Sequence, residues 1–349
     1  MSAYCPPLEG RDPKRFLLLD FNERTQSVSQ AVENALVEYI RSGRLQMYPA
    51  YGNVVERIAT YANVPAEQVM ITNGSDQGID LVIRSACDKG DEIIIPSPSF
   101  AMYEQCAQIE QARIISPPYL REAGFPLSSV LAAISERTRV IVVSNPNNPT
   151  GTACSRQDIV TLAKAAPDAV ILVDECYFEY CGITVCDLVE RHPNIVVVRT
   201  FSKTWGIPSL RLGYVIAAKD NILALLNVRG PYDINQLAVV AIQAALDDLN
   251  SVASYVREVM EDAKPAFEAF LDQHAICYWP SQANFIWIFP PQAETIDLAL
   301  QQEGIRVRPK KDRDNRLGLR ITLGTLAETK RCMDVIEAEL AKVSSDSLV

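Results

Sequence analysis

Ile195-Val196-Val197-Val198-Arg199-Thr200-Phe201-Ser202-Lys203 is the stretch on which the fold turns. Its apolar, β-branched opening reads as a strand. A second uninterrupted run, Ala169-Val170-Ile171-Leu172-Val173, is of the kind found in sheets covered on both faces. At the mouth of the first strand stand a hydroxyl, Ser202, and an amine, Lys203, with Arg211 eight residues further on. An amine can condense with an aldehyde, while a hydroxyl and a guanidinium donate to a phosphate, so the trio suits a phosphorylated aldehyde. Taken alone, Ser-Lys is equally readable as a surface lysine after a strand.

Working outward, Val69 to Thr72, Glu92 to Ile95, Arg113 to Ser116, Val140 to Ser144, Ala169 to Asp174, Ile195 to Thr200 and Leu212 to Ala217 read as strands. Amphipathic segments such as Gln77 to Cys87 and Ser155 to Ala166 lie between them. Such alternation predicts a mostly parallel, seven-stranded α/β sheet with helices on both faces. After Pro231 the pattern changes to long helices, Gln236 to Leu249 and Ser251 to Gln273. Strand-like Asn284 to Phe289 and Leu319 to Leu323 follow, with helices at Ile296 to Gln302 and Leu326 to Lys342 and a frayed tail from Ser344. We therefore expect an N-terminal arm, residues 1–30, joining a smaller α+β domain of residues 246–349, and a large domain of residues 31–245.

The bulk properties narrow the function. The chain has 349 residues, 48% hydrophobic and 22% charged, with a net charge of −10. An acidic chain lacks the basic excess that nucleic acids or anionic membranes select, so an anionic substrate needs local arginines. Nine cysteines without a CxxC pair fit a reducing, cytoplasmic setting. Cys176, Cys181 and Cys186 with His192 do not match a zinc site, so no metal is expected. With only two histidines, a histidine triad is excluded as well. The N-terminus, Met1-Ser2-Ala3-Tyr4-Cys5-Pro6-Pro7, has neither the basic region nor the apolar run of a secretory leader, and no segment approaches a membrane span.

In open parallel sheets ligands sit beyond the carboxyl ends of the strands. Polar clusters follow four strands here. Asn73-Gly74-Ser75-Asp76 opens a helix, and its backbone N–H groups suit a phosphate, although Ser75 or Asp76 also reads as a helix cap. Asn145-Pro146-Asn147-Asn148-Pro149-Thr150-Gly151 is a stiff loop that either presents Asn148 or satisfies its own backbone. Asp174-Glu175-Cys176-Tyr177 ends a hydrophobic strand with carboxylates that need a buried salt bridge or a protonated ligand atom. Ser202-Lys203 is the fourth. One ligand unites them, pyridoxal 5'-phosphate: Lys203 for its aldehyde, Asp174 for its ring nitrogen, Asn148 and Tyr177 for its hydroxyl. Gly74, Ser75, Asp76, Ser202 and Arg211 surround its phosphate, and Phe100 stacks on its ring.

These segments, with Tyr48-Pro49, Pro98-Ser99-Phe100 and Tyr103, Leu210 to Tyr214, Pro231-Tyr232, Ser281 to Phe285 and Leu319 to Gly324, cover almost the whole chain. In them the sequence resembles the class I/II aminotransferases of the aspartate aminotransferase fold (pyridoxal-phosphate fold type I), most closely the histidinol-phosphate aminotransferase branch. The resemblance implies transamination of L-histidinol phosphate with 2-oxoglutarate, giving imidazole-acetol phosphate and L-glutamate in histidine biosynthesis. It implies a homodimer in which Tyr48 reaches the cofactor phosphate of the other subunit. It also assigns Arg320 to the substrate carboxylate, Arg308 to the substrate phosphate with Arg306 as a competitor, and Tyr4 and Asn22 to the substrate pocket.

There are departures from the family wording. Asn22-Glu23-Arg24-Thr25 replaces Asn-Glu-Asn-Pro, Cys176 replaces an alanine, and Trp205 to Arg211 is somewhat like threonine-phosphate decarboxylase. Three alternatives stay open: an aromatic or other amino-acid aminotransferase, a decarboxylase of a phosphorylated amino acid, and a regulatory cofactor-binding module without turnover.

Overall fold

The structure is a computed structural model that describes residues 7–346. Eight strands fall in the first 216 residues: β1 Leu17–Leu18, β2 Val69–Thr72, β3 Glu92–Ile94, β4 Arg113–Ile115, β5 Thr138–Ser144, β6 Val170–Asp174, β7 Ile195–Thr200 and β8 Gly213–Ile216. Seven of them form one sheet in the order β2-β8-β7-β6-β5-β3-β4. The pairs β7-β6-β5-β3-β4 are parallel, and β8 alone runs against both of its neighbours. The expected mostly parallel seven-stranded α/β sheet is therefore what forms.

The continuous apolar runs are explained by burial on both faces. Ile141, Val143, Ile171, Val173 and Val197 enter one core cluster. Their alternates Val140, Val142, Leu172, Val196 and Val198 enter another on the opposite face. With a period of two, each face receives every second side chain.

Five strands follow: β9 Cys277–Tyr278, β10 Phe285–Phe289, β11 Ile305–Arg306, β12 Arg308–Lys311 and β13 Leu317–Thr322. Four of them make an antiparallel sheet, β12-β13-β10-β9, over a separate core that includes Ile286, Ile288, Leu319, Ile321, Phe267 and Leu300. β1 pairs in parallel with β11, Leu17 opposite Ile305, which ties the N-terminal segment to this second unit.

Two helix boundaries differ from expectation. The first long helix stops at Leu246, and a new one starts at Leu249 because Asp248 caps it, its side chain accepting from Ser251 N at 3.2 Å. That second helix passes through a π-helical turn, Glu258–Ala263, before continuing as Lys264–Gln273. Pro265 has no N–H to donate to the preceding turn, and the widened turn absorbs the missing bond. At the other end, the helix begun at Leu326 continues to Asp346, beyond the expected Lys342. Among the described residues, no single helix is long and apolar enough to cross a membrane.

Candidate active site

At the carboxyl edge of the large sheet, β5, β6 and β7 deliver their last residues, Ser144, Asp174 and Thr200, to one cavity of about 580 Å³, within the ordinary range for small-molecule sites, and the helix after β2 adds Ser75 and Asp76. Ser144 and Asp174 are cross-strand neighbours there, and Thr72 and Thr200 both oppose Gly213. A side chain at 213 is impossible, because its Cβ would lie 2.6 Å from Ser75 N and 2.7 Å from Arg199 O. β8 thus starts directly beneath the helix Gly74–Ala86.

That helix forms one corner of the cavity. Its cap position is Asn73, whose side chain makes no capping bond, so neither Ser75 nor Asp76 is a cap; both sit in the first turn, where backbone N–H groups lack intrahelical acceptors. Gly74 has φ +73°, and a Cβ on it would fall 2.5 Å from Arg211 Nη2. Arg211 is fixed by Asp76 Oδ2 at 2.9 Å, Pro208 O at 3.1 Å and Ser202 Oγ at 3.4 Å. The Asp76 carboxylate therefore orients the guanidinium, and only its backbone is suited to an anion. Ser202 itself is bonded to Thr200 Oγ1 at 2.9 Å.

Lys203 Nζ projects into the cavity and donates to Phe21 O at 2.9 Å. Burial, and then the charge of Arg320, lower the pKa of this amine. The two adjacent carboxylates on β6 and just after it part company. Glu175 takes two bonds from Arg199, at 2.9 and 2.8 Å, in a fully buried ion pair. Asp174 accepts from Tyr103 Oη at 2.5 Å and from Cys176 N at 3.0 Å, and has no cationic partner among the described residues. Burial pushes its pKa up, against the pull of those donors. The buried salt bridge that the sequence left open is thus true of Glu175 and not of Asp174.

The asparagine loop divides in the same way. Asn145 and Asn147 satisfy neighbouring segments, Asn145 bonding Cys154 and Asn147 bonding Pro98, Ser99 and Thr150. Asn148 instead lines the cavity and accepts from Arg320 Nη1 at 2.5 Å. The Tyr177 hydroxyl accepts from Asn22 Nδ2 at 2.9 Å, and burial raises its pKa. Phe100 lines the cavity edge-on to Tyr103, with ring centroids 5.8 Å apart.

Other expected residues lie further out. Arg320 also donates to Asp20 O at 2.6 Å, and Arg308 stands opposite it across β12 and β13, its guanidinium 5.2 Å from the Phe21 ring. Arg306 turns elsewhere, to Gly10 O and the Phe16 ring. Tyr48 is 79% exposed, stacks on Tyr232 at 4.6 Å and takes no part in its own chain's cavity. Tyr4 lies outside the described residues. Among the described residues no group of side chains could hold a metal ion.

The sequence reading did not assign roles to Tyr103 and Phe21. Tyr103 carried a weak signal, three residues after Phe100 in the same segment. Phe21 acts through a main-chain carbonyl and carried none.

These residues fit a pyridoxal phosphate. A buried carboxylate lacking a cation matches a protonated ring nitrogen, an amine faces it, and a helix start with a guanidinium leaves no room for a Cβ where a phosphate would rest.

The family of aminotransferases of class I and II matches residues 15–336, and the chain belongs to it. Its cofactor is accordingly pyridoxal 5'-phosphate, and its substrates are an amino donor and an oxo acid. Among its relatives is a histidinol-phosphate aminotransferase from Bacillus licheniformis, 34% identical, aligned over 89% of this chain and 88% of that protein. A solved histidinol-phosphate aminotransferase from Sinorhizobium meliloti, in complex with pyridoxal-5'-phosphate, superposes with a TM-score of 0.82 at 20% identity over 97% of this chain and 98% of that one. An aspartate aminotransferase double mutant from Thermus thermophilus superposes at 0.78, 20% identity, over 92% and 91%, which makes the fold aspartate-aminotransferase-like.

Proposed function

We propose that this aminotransferase takes L-histidinol phosphate as amino donor and 2-oxoglutarate as acceptor, giving imidazole-acetol phosphate and L-glutamate. The observation that carries the assignment is the cross-strand pair Arg308 and Arg320 beside the cavity. Two guanidiniums at one entrance accommodate either a phosphate or a carboxylate. The names of relatives such as the Bacillus licheniformis protein support the same donor.

When bound, the cofactor supplies an aldehyde that links to amines and a pyridinium ring that draws electrons from the substrate's Cα–H bond. Lys203 Nζ would hold the cofactor through its aldehyde and, once freed by the substrate's amine, would take and hold the substrate's Cα proton. Burial and Arg320 favour its neutral form, which a base requires. Asp174, whose ionised form accepts from Tyr103 and the Cys176 amide, would hold the proton on the ring nitrogen. Asn148 and Tyr177 would hold the ring hydroxyl, Phe100 would stack on the ring, and Gly74, Ser75, Asp76, Ser202 and Arg211 would hold the phosphate. Arg320 receives a carboxylate and Arg308 the substrate phosphate, with Asn22 and Tyr4 completing the donor pocket.

The working unit in this proposal is a cytoplasmic homodimer in which Tyr48, exposed in a single chain, reaches the other subunit's cofactor phosphate. Each subunit divides into the arm 1–30, the large domain 31–245 and the small domain 246–349, a division supported by the small sheet's core around Ile286, Leu319 and Phe267, which is distinct from the two clusters covering the large sheet. The test is a donor panel on purified enzyme with 2-oxoglutarate. Histidinol phosphate should give ping-pong kinetics and exceed phenylalanine in kcat/KM. Faster turnover of phenylalanine, or release of carbon dioxide, would reject the donor; failure of glutamate to convert the cofactor to its amine form would reject transamination itself.

A further inference from the structure

The face of the small sheet that looks away from its apolar core carries more positive charge than two substrate-binding arginines require. On β12 Arg308 and Lys310 are half-buried while Pro309 and Lys311 are exposed, so Arg308 and Lys310 share a face. The register sets Arg308 opposite Arg320 and Lys310 opposite Gly318 on β13, and Arg320 opposite Trp287 on β10. Paired residues project to the same side, so these five positions form one surface, with Leu319, Ile321, Ile286 and Ile288 behind it in the core.

This surface lacks negative charge. Asp20 and Glu23 of the adjoining arm are both engaged by Arg11. No carboxylate among the described residues forms an ion pair with Arg308 or Lys310. Arg320 is the member of this surface with acceptors of its own, Asn148 Oδ1 and Asp20 O. Trp287 is fully buried, and its Nε1–H has no hydrogen-bond partner; it lies across Gly318, 2.7 Å from where a Cβ there would stand. Trp287 packs with Tyr119, Trp279 and Phe289 and closes the far end of this face, while half-buried cations such as Arg308 and Lys310 without an ion pair are unfavourable unless a ligand brings the anion.

We propose that Lys310, beside Arg308, makes this surface selective for the dianion of a phosphate monoester over a carboxylate. The inference rests on the phosphorylated-amine reading given above. A carboxylate is matched by one bidentate guanidinium, whereas a phosphate presents three acceptor oxygens and a charge near −2 and gains from a second and third cation.

The charge on Lys310 is itself adjustable. Burial, then the neighbouring Arg320 and Arg308, push its pKa down to about 8. The charged groups facing it are these two arginines, which do not titrate in this range. A phosphate monoester takes its second charge near about pH 6. Affinity for the phosphorylated amine is therefore greatest between the two values and falls as pH rises through that of Lys310.

The test compares wild-type, Lys310→Gln and Lys310→Arg holoenzymes. KM and kcat are measured for histidinol phosphate and for glutamate, along with competitive inhibition by inorganic phosphate. Lys310→Gln should raise KM for the phosphorylated amine and Ki for inorganic phosphate about tenfold, with kcat and the glutamate constants unchanged. The alkaline rise in KM should vanish with it, and Lys310→Arg should restore affinity and carry that rise to higher pH. Equal effects on both substrates, or none on phosphate, overturn the proposal. The two readings fail separately: if the wild type does not accept histidinol phosphate, the donor assignment falls, while a Ki for inorganic phosphate that depends on residue 310 still supports the subsite.

Discussion

Replacing Tyr103 by phenylalanine removes one hydroxyl and leaves the buried ring, its edge-on contact with Phe100 and the helix Ala101–Ile109 in place. The hydroxyl lies 2.5 Å from Asp174 Oδ2 and, with the Cys176 amide, donates to that carboxylate. A hydrogen bond to a charged group contributes about 1.5–3 kcal/mol, and one pKa unit is about 1.4 kcal/mol. The substitution should thus raise the proton affinity of Asp174 further, in the direction in which burial already pushes it. A weaker anion holds the ring-nitrogen proton less firmly, and kcat for the glutamate half-reaction should fall roughly 10- to 100-fold. Because the lost bond favours the ionised carboxylate, the defect should deepen as pH falls and shrink as it rises. Stopped-flow spectroscopy of the cofactor across pH reads both effects. An unchanged rate and pH profile would refute the reasoning, since Tyr103 would then be packing alone.

Two further substitutions probe the supports around this centre. Gly74→Ala places a Cβ 2.5 Å from Arg211 Nη2 at a φ of +73°, so strain of about 1–2 kcal/mol and a displaced guanidinium should weaken cofactor retention about tenfold or more, as equilibrium dialysis would show. Arg199→Met leaves Glu175 buried without its cation, a loss of about 3–5 kcal/mol that should lower Tm by roughly 4–7 °C in calorimetry. Arg199→Met combined with Glu175→Gln should recover much of that loss, which a purely steric role for Arg199 would not allow.

Much of the architecture was legible because burial writes itself into composition. Residues 170–173 and 195–198 are apolar at every position, which only a sheet covered on both sides demands. The reversed direction of β8 left no such trace, since antiparallel and parallel central strands use the same residues. β12 escaped notice for a different reason: Arg308-Pro309-Lys310-Lys311 has no apolar member, and its strand is held by pairing with β13. Around the site, Asp174, Asn148 and Lys203 were readable because each polar residue follows an apolar strand. What each one bonds was not, because Tyr103 reaches Asp174 across 71 residues and Arg320 reaches Asn148 across 172. The first pair meets only when the large sheet and its helices assemble, the second only when the two sheets come together.

The amine after β7, Lys203, is the group on which the proposed chemistry depends. Borohydride reduction of the holoenzyme, followed by proteolysis and peptide mass spectrometry, fixes the cofactor to whichever lysine holds it. The label should be found on Lys203 alone, and Lys203→Ala should carry none and lose the bound-cofactor absorbance and transamination together. A label on another lysine, or transamination by Lys203→Ala at the wild-type rate, would contradict the assignment.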